Sequence, residues 1–368
     1  MEFNIAQKDF YKTIQNVKNA VSTKNTLPVI QGILIETTED QKLHLIGTDL
    51  ELGIETWVKA DIIDTGKIVV PASQLFKIVR ELPKKPVNFK VNENNFTVNI
   101  KCADSKFKLK CFNPEEFPEL PEVKSSTHFT LSGIELKQMI KETVFCTLQG
   151  ESQPALTGVM TEINKNTIKM ISTNTYRLAL CELENDNNTE KEIEMLIPGV
   201  TLKEVKNLIN DDENINIKPG NNYVKFKLEN INIISRLIEG DFPNYNQVIP
   251  DDYNTKIIVD TKKLKKAVKR VSLIAKLDSN IIVLEIKDDK MVIDSLNSEE
   301  GHAHETVDIK TEGPEQIINI DAKYLIDILK ILNKEKLEIN FIDSVNPMMI
   351  KLKEKRKFIY IIMPVRPG

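Results

Sequence analysis

Two pairs of neighbouring carboxylates are the residues of this sequence that are best spaced for catalysis. Asp49 with Glu51, and Asp251 with Asp252, could act in acid–base chemistry or in metal-assisted hydrolysis. Both pairs stand where turns are expected, and Asp is common in turns because its side chain bonds nearby backbone N–H groups. Turn formation therefore accounts for both pairs without catalysis.

A His-x-His pair, His302 and His304, could supply two metal ligands, but the sequence offers no third ligand at a suitable spacing. An exposed strand of alternating residues explains the pair more simply. The sequence also lacks G-x-x-x-x-G-K-[ST], H-E-x-x-H, G-x-S-x-G and a G-x-G-x-x-G followed by a ribose-binding acid. These observations predict a protein that is not an enzyme and that has no metal site and no cofactor.

Basic residues are concentrated in six predicted helices. The helices span residues 8–18, 73–85, 134–143, 201–209, 261–276 and 322–336, and they contain 22 Lys and Arg against 7 Asp and Glu, although the net charge of the chain is −4. For one helix a solvated face would explain this. Because five of the six helices have a net positive charge and the third is neutral, the sequence instead predicts a basic surface that attracts phosphates without reading sequence. With only 6% aromatic residues to stack on unpaired bases, the predicted partner is duplex DNA.

The six helices are parts of a repeated pattern. Each follows a short β-prone run and a turn or cap position, and the copies begin at residues 3, 69, 129, 196, 257 and 318. Such regular spacing indicates a repeat architecture. Because the segments after the helices alternate between two types, two copies form one domain. The predicted domains are residues 1–125, 126–250 and 251–368, which suits a chain longer than one core usually supports.

The cellular location of the protein is predicted from targeting and membrane segments, which the sequence lacks, and from its cysteines. It contains no apolar run of about 18 residues and no N-terminal secretory signal, so neither a membrane span nor secretion is expected. Cys102, Cys111, Cys146 and Cys181 show no C-x-x-C spacing and mostly stand among strand residues. We expect buried, reduced thiols and a cytoplasmic protein.

Several segments together resemble the beta sliding clamps of bacterial DNA polymerase III. They are LPVIQGILIE, LIGTDLELGIE, VVPASQLFKIVRELP, STNTYRLA, GDFPNY and YIIMPVR, and they are distributed over the whole chain. The resemblance implies an α+β fold of three pseudo-equivalent domains, each with two helices and antiparallel sheets, and a head-to-tail homodimer that closes into a ring. Such a ring encircles double-stranded DNA. It tethers the replicative polymerase, the clamp loader and repair proteins through a peptide-binding pocket, and it catalyses no reaction.

The basic helices and the resemblance together predict a DNA-binding set. Its members are Lys12, Lys24, Lys77, Arg80, Lys137, Lys141, Gln149, Lys203, Lys206, Lys265, Lys269 and Arg270. The chain departs from the family beside the second and fourth helices, where Ser73, Gln74, Gly199 and Val200 stand in place of basic residues. The pattern of contacts is therefore expected to differ there.

The resemblance also implies the residues of the peptide-binding pocket. They are Thr173, Thr175, Tyr176, Arg177, Leu178, Pro243, Val248, Ile361, Met363, Pro364, Val365 and Arg366. Met and Val would provide an adaptable apolar floor, and Arg177 with its turn would supply polar edges. Asn174 and Thr175 replace an Asp-Gly pair of some relatives, Gln247 replaces an Arg, and Pro367 and Gly368 extend the tail. These differences from the family are expected to change which peptide sequence the pocket prefers, rather than the position of the pocket.

In SKFKLKCF the strict alternation predicts an edge strand with one apolar and one basic face. An ordinary half-buried strand is the alternative. The resemblance places this strand against the third domain of a second subunit. The implied interface residues are Lys106, Phe107, Lys108, Leu109, Leu273, Ile274, Glu299 and Glu300.

Two other classes of protein remain open at this stage. A β-rich repeat scaffold that binds peptides would not bind duplex DNA, and its helix lysines would be replaceable. A hydrolase that uses the carboxylate pairs would require a divalent metal and would show turnover.

Overall fold

A computed structural model describes residues 1–22, 27–125, 127–150, 152–185, 187, 191–296, 301–332, 334–353 and 356–366. Its α-helices are α1 Gln7–Lys18, α2 Ala72–Glu81, α3 Gly133–Thr143, α4 Gly199–Leu208, α5 Thr261–Ala275 and α6 Ala322–Ile331. Each of the six follows directly on a strand, as the repeated pattern predicts.

The strands of the chain are numbered in sequence order. The first nine are β1 Glu2–Ala6, β2 Gly32–Thr37, β3 Lys42–Thr48, β4 Leu52–Lys59, β5 Asp61–Asp64, β6 Lys67–Pro71, β7 Pro86–Asn92, β8 Thr97–Cys102 and β9 Ser105–Lys110. The next eight are β10 Phe129–Ser132, β11 Gly158–Ile163, β12 Thr167–Thr173, β13 Arg177–Glu184, β14 Ile193–Pro198, β15 Asn214–Pro219, β16 Tyr223–Lys227 and β17 Ile231–Arg236. The last eight are β18 Thr255–Asp260, β19 Ile281–Lys287, β20 Lys290–Ser295, β21 His304–Glu312, β22 Gln316–Asp321, β23 Lys336–Phe341, β24 Met348–Lys353 and β25 Lys357–Ile362.

The chain divides into two compact units, residues 1–136 with 200–237, and residues 137–199 with 238–368. The first unit contains a sheet of order β5-β1-β7-β8-β9 and a sheet of order β10-β15-β16-β17-β4-β3-β2-β6. The second contains one continuous order, β14-β11-β12-β13-β25-β24-β23-β18-β21-β20-β19-β22. All pairs are antiparallel, and the strands of the central third are shared between the two units.

Local signals explain where the helices begin. Ser132 caps α3: the Glu135 N–H donates to the hydroxyl of Ser132, and that hydroxyl donates to the Glu135 carboxylate. Asp260 accepts a bond from the N–H of Lys263 at the start of α5, 2.7 Å long. These caps fix the helix starts that the sequence predicts.

Two of the predicted helices are shorter in the structure. The second ends at Glu81 rather than at residue 85, because Leu82 precedes Pro83 and takes an extended conformation. The sixth ends at Ile331 rather than at residue 336, because Leu332 is extended and strand β23 begins at Lys336. In both cases residues that continue the helical pattern belong to the next connection.

The core is built from apolar residues, which alternate with polar residues along the strands and recur every three to four residues along the helices. In the first unit the fully buried Phe3 and Phe89 stack at 4.7 Å between centroids, and Phe10 of α1 meets both rings edge-on at 5.9 Å. In the second unit Leu264 and Val268 of α5 are buried among strand residues. The lysines of α5 consequently lie on its other faces.

The four cysteines are buried and unpaired, as the sequence predicts. Burial raises the pKa of the Cys111 thiol to about 12, and it also raises the pKa values of Cys146 and Cys181. At neutral pH these three are therefore thiols rather than reactive thiolates. Among the helices of the described chain, none is long and apolar enough to cross a membrane.

An ion pair connects α3 to Arg356, the residue directly before β25. Glu142 is only 1% exposed, and the guanidinium of Arg356 donates to both of its oxygens, at 2.8 and 2.6 Å. The Gln138 amide and the Cys181 thiol donate to the same carboxylate. This carboxylate is thus both paired and hydrogen-bonded, which is the condition under which a buried charge is tolerated.

We expect Glu142→Ala to destabilise the second unit by about 2 kcal/mol, because it removes a buried carboxylate that accepts four hydrogen bonds, from Gln138, Cys181 and Arg356. The measurement is urea unfolding combined with hydrogen exchange at the amides of α3. Glu184→Ala, which removes an exposed carboxylate, serves as the control and should stay within about 0.5 kcal/mol of the parent. Equal effects of the two substitutions would contradict the structural role of Glu142.

Candidate functional site

An apolar cluster on one face of the sheet in the second unit brings together several predicted pocket residues. Its buried members are Ile171, Leu178, Leu180, Tyr245, Met349, Ile359 and Ile361, with Met160, Phe242, Ile249 and Met363 packed against them and partly buried. Leu178, Ile361 and Met363 come from the predicted pocket set. The cluster lies where β13 pairs with β25, with Leu178 opposite Ile361.

The turn between β12 and β13 has a defined hydrogen-bond pattern. The hydroxyl of Thr173 donates to the carbonyl oxygen of Arg177 at 2.8 Å, and the side chain of Asn174 accepts from the N–H groups of Tyr176 and Arg177. Thr175 adopts a left-handed conformation, with φ of 74°. These bonds present Thr175 and Tyr176 outward, and Tyr176 is 61% exposed.

The side chain of Arg177 contradicts the role that the sequence suggests for it. Only 6% of it is exposed, so its guanidinium cannot form a polar edge of an open pocket. Its Nη1 donates to Asp327 at 3.0 Å and its Nη2 donates to the carbonyl oxygen of Phe145 at 2.7 Å. The polar edge is therefore supplied by the turn alone.

The tail after β25 lies beside this turn. The N–H of Met363 donates to the carbonyl oxygen of Tyr176 at 2.9 Å, and the N–H of Val365 donates to the carbonyl oxygen of Asn319 at 2.8 Å. Met363, Pro364 and Val365 are half-buried and Arg366 is exposed. The remaining predicted residues, Pro243 and Val248, are exposed on the loop that follows β17. Pro367 and Gly368 lie outside the described residues.

The structure adds residues to this site that sequence reasoning did not select. Phe242, Tyr245 and Ile249 of the GDFPNYNQVIP loop pack on the apolar cluster. The hydroxyl of Tyr245 donates to Glu162 at 2.8 Å, and burial together with this contact raises the pKa of Tyr245. The aromatic residues beside Pro243 are the feature of the sequence from which these site residues could have been predicted. Together these groups form an apolar surface with polar backbone at its rim, suited to a short apolar peptide.

The predicted DNA-binding residues that the structure describes lie on helices in both units, except Gln149, which lies after α3. Lys12, Lys77 and Arg80 of the first unit are exposed, and Lys203 and Lys206 are half-buried. In the second unit Lys141, Gln149, Lys269 and Arg270 are exposed, and Lys137 and Lys265 are half-buried. Lys24 lies outside the described residues. Ser73 and Gln74 are exposed in the first turn of α2, and Val200 is exposed at the start of α4.

Both arginines of this set are already engaged with acidic neighbours. The guanidinium of Arg270 forms a two-pronged pair with Glu305, at 2.5 and 2.7 Å, and this contact lowers the pKa of Glu305. Arg80 pairs with Glu81 at 2.8 Å. A guanidinium held in this way is less available to a phosphate than the sequence alone suggests.

The predicted interface strand is the last strand of its sheet. Within the described strands β9 pairs with β8 and with no other, and Phe107 is 40% exposed while Leu109 is half-buried. Lys106 and Lys108 are exposed. In the other unit Leu273 is 64% exposed near the end of α5, and Ile274 is half-buried. Glu299 and Glu300 lie outside the described residues.

Several of the residues that could have carried catalysis have structural partners, whereas Asp251 and Asp252 are exposed. The side chain of Asp49 accepts bonds from the N–H groups of Glu51 and Leu52, which confirms it as a turn residue. His302 and His304 both contact one oxygen of Asp294, at 3.3 and 2.7 Å. In the described part of the chain no set of three ligating side chains has the arrangement of a metal site.

Comparisons with known proteins match the whole chain. Profiles of the N-terminal, central and C-terminal domains of the DNA polymerase III beta subunit match residues 1–121, 130–244 and 246–366. The chain is 32% identical to the beta sliding clamp of Staphylococcus aureus, over 100% of this chain and 99% of that protein.

Solved structures agree with these matches. The sliding clamp of Bacillus subtilis has a TM-score of 0.94 at 29% identity, and the beta subunit of Thermotoga maritima has a TM-score of 0.93 at 27% identity. Each comparison covers 100% of both chains. The three-domain architecture implied by the sequence is thus that of these proteins, and the chain belongs to the beta subunit family of DNA polymerase III, the beta sliding clamps.

Proposed function

We propose that this chain is a processivity clamp that encircles duplex DNA as a head-to-tail homodimer and holds replication and repair proteins by a short peptide. The observation that carries the proposal is the match of all three family domains along one chain that also has their fold. We assign the domains to residues 1–125, 126–250 and 251–368. The buried, unpaired cysteines support a cytoplasmic location.

The two strand junctions between successive thirds of the chain support the dimer. β4 pairs with β17 and β13 pairs with β25, both antiparallel. The two junctions have the same register: Leu52, the first residue of β4, pairs with Ser235, and Arg177, the first residue of β13, pairs with Ile362.

A third junction of the same type would join two subunits. In the described structure the His304–Asp308 part of β21 pairs only with β20, and β9 is a sheet edge. Glu305, in that part of β21, and the exposed Lys106, on β9, have opposite charges that could meet across such a contact. Exposed edges of this type are templates for pairing, and a head-to-tail contact can close into a ring. Glu305 thus joins the interface set.

The apolar surface beside the β12–β13 turn is our proposed peptide site, because it combines a half-buried methionine, an exposed tyrosine and a backbone rim. The exposed lysines of the helices are the proposed DNA contacts, because lysine neutralises phosphates without reading bases. Lys12, Lys141 and Lys269 are the exposed members with which we test this.

Loading onto nicked circular DNA tests the whole proposal. The clamp should persist on the circle and should leave when the DNA is cut to a linear form, because retention is topological. No association with the circle would support the peptide scaffold, and metal-dependent turnover of DNA would support the hydrolase.

Replacing Lys12, Lys141 and Lys269 together by Gln should weaken loading and flatten its dependence on salt. For each phosphate that the variant no longer neutralises, the slope of log affinity against log salt should fall by about 0.9. The control replaces three exposed strand lysines, Lys59, Lys227 and Lys310, and should leave the slope unchanged. Identical slopes for both triple variants would count against the helix lysines.

Replacing Leu273 and Ile274 together by Asp should give monomers, because two charges would enter the apolar part of the interface. Sedimentation measures the oligomeric state, and Ile317→Asp, at an exposed apolar position on β22, is the control. An intact dimer after the double substitution would refute the interface. A charge reversal sharpens the test: Lys106→Glu, on the exposed edge strand β9, should also weaken the dimer.

The family resemblance implies a partner peptide with a Gln followed by Leu and a terminal Leu-Phe, for which the acetylated peptide Gln-Leu-Ser-Leu-Phe serves as the probe. Deleting Met363 to Gly368 should abolish its binding, because the deletion removes the half-buried methionine and the tail that bonds Tyr176. Calorimetry measures the affinity, and the variant should remain a dimer that loads onto DNA. Val345→Asp, an exposed apolar position elsewhere in the same domain, is the control. Full peptide affinity after the deletion would refute the placement of the site.

A further inference from the structure

Arg177 is a charged side chain placed in the interior beside the proposed peptide site. Its guanidinium lies between the rings of Phe145 and Tyr324, 5.3 and 4.7 Å from their centroids. Within the described part of the chain, its carboxylate partner is Asp327 of α6, at 3.0 Å. A buried cation is tolerated only when it is paired and hydrogen-bonded, so Asp327 sets whether this arrangement is stable.

The chain itself shows that the turn does not need an arginine in order to fold. The turn between β3 and β4 has the same pattern: the Thr48 hydroxyl donates to the carbonyl oxygen of Leu52 at 2.9 Å, and Asp49 accepts from two backbone N–H groups. Leu50 has φ of 77°, as Thr175 has 74°. Leu52 stands at the position of Arg177 and is simply a buried apolar residue.

The strand junctions beside the two turns also match. The N–H of Arg236 donates to the carbonyl oxygen of Glu51 at 2.8 Å, just as the N–H of Met363 donates to that of Tyr176 at 2.9 Å. The shared backbone geometry therefore requires only a buried residue at this position, as Leu52 shows, and it does not require the charge of Arg177. The buried charge at Arg177 serves something that the first junction lacks.

What the second junction has in addition is contact with the segment that contains α6. Asn319, just before α6, accepts the N–H of Val365 in the tail. Tyr324 accepts, through its carbonyl oxygen, the hydroxyl of Tyr360 in β25 at 2.9 Å. Asp327 adds the bond to the turn through Arg177. One segment thus holds both chain portions that border the proposed peptide site.

We propose that Asp327 is a positioning residue for peptide binding, which acts by holding the guanidinium of Arg177 and thereby the Asn174–Tyr176 turn at a fixed distance from the tail. This inference rests on the proposed peptide site. Asp327 touches no peptide; it fixes the groove before the peptide arrives, so that less ordering is required on binding. The exposed Lys330, which contacts the other oxygen of Asp327 at 3.1 Å, is not needed for this role.

The test is a double-mutant cycle on peptide affinity, measured by calorimetry with the full-length dimer and the acetylated peptide Gln-Leu-Ser-Leu-Phe. Asp327→Asn keeps the shape of the side chain and removes its charge, and we expect it to weaken binding about tenfold. Arg177→Lys keeps the positive charge but cannot make both guanidinium bonds, and we expect a similar decrease in affinity. If Asp327 acts through Arg177, the double variant should be no weaker than Arg177→Lys alone.

Lys330→Gln is the matched control on the same helix and should stay within about twofold of the parent. Sedimentation and thermal unfolding of each variant separate positioning from loss of structure. The proposal is overturned by parent-like affinity of Asp327→Asn, or by effects on affinity that simply multiply in the double variant. Failure of the peptide site itself is distinguishable, because then the Met363 to Gly368 deletion would bind as well as the parent, or the parent would not bind.

Discussion

The pairing of exposed strand edges is the constraint on which the rest of this molecule depends. An unpaired edge presents a row of backbone donors and acceptors, and a protein must pair it, cover it or blunt it. Here β4 continues into β17 and β13 continues into β25, so that strands from successive thirds of the chain share sheets. The same register in both junctions makes the remaining edges, β9 and the start of β21, natural partners between subunits. The turn before β13 and the chain after β25 also emerge together at one junction, which is where an apolar peptide surface can form.

The two junctions show how one backbone supports different side-chain chemistry. Their turns share hydrogen bonds and a left-handed residue, Leu50 in one and Thr175 in the other. The first junction then places Leu52 in the interior, whereas the second places Arg177 there and pairs it with Asp327. A repeat architecture permits this because the turn is stabilised locally, by Thr and by Asp or Asn, and leaves the next residue unconstrained.

Much of the fold could be predicted from the sequence because its signals are local. Six strand-to-helix starts follow from periodicity and caps such as Ser132 with Glu135, and the strong alternation of SKFKLKCF predicts the edge strand. The helix ends at Glu81 and Ile331 could not be predicted in this way, because apolar spacing continues into extended residues.

The rest of the site depends on contacts between residues far apart in sequence. The orientation of Arg177 is set by Asp327, 150 positions away, and the engagement of Arg270 is set by Glu305, 35 positions away. No spacing rule anticipates either contact. The resemblance to a family named the pocket residues, but it could not tell a side chain that lines the surface from one that supports it from below.

The same ion pairs suit the proposed sliding function. The six predicted helices contain 22 basic residues, of which only Arg80 and Arg270 are arginines. Both contact acidic neighbours, Glu81 and Glu305, and the other charged members of the proposed DNA-binding set are lysines. Arginine tends to form directional, two-pronged contacts with a phosphate, whereas lysine acts as a compact charge on a flexible stem with rotatable donors. A lysine can exchange one phosphate for the next with little change in energy, because it requires no fixed geometry. A lysine surface of the kind proposed would therefore attract a duplex without giving it a preferred position along its axis.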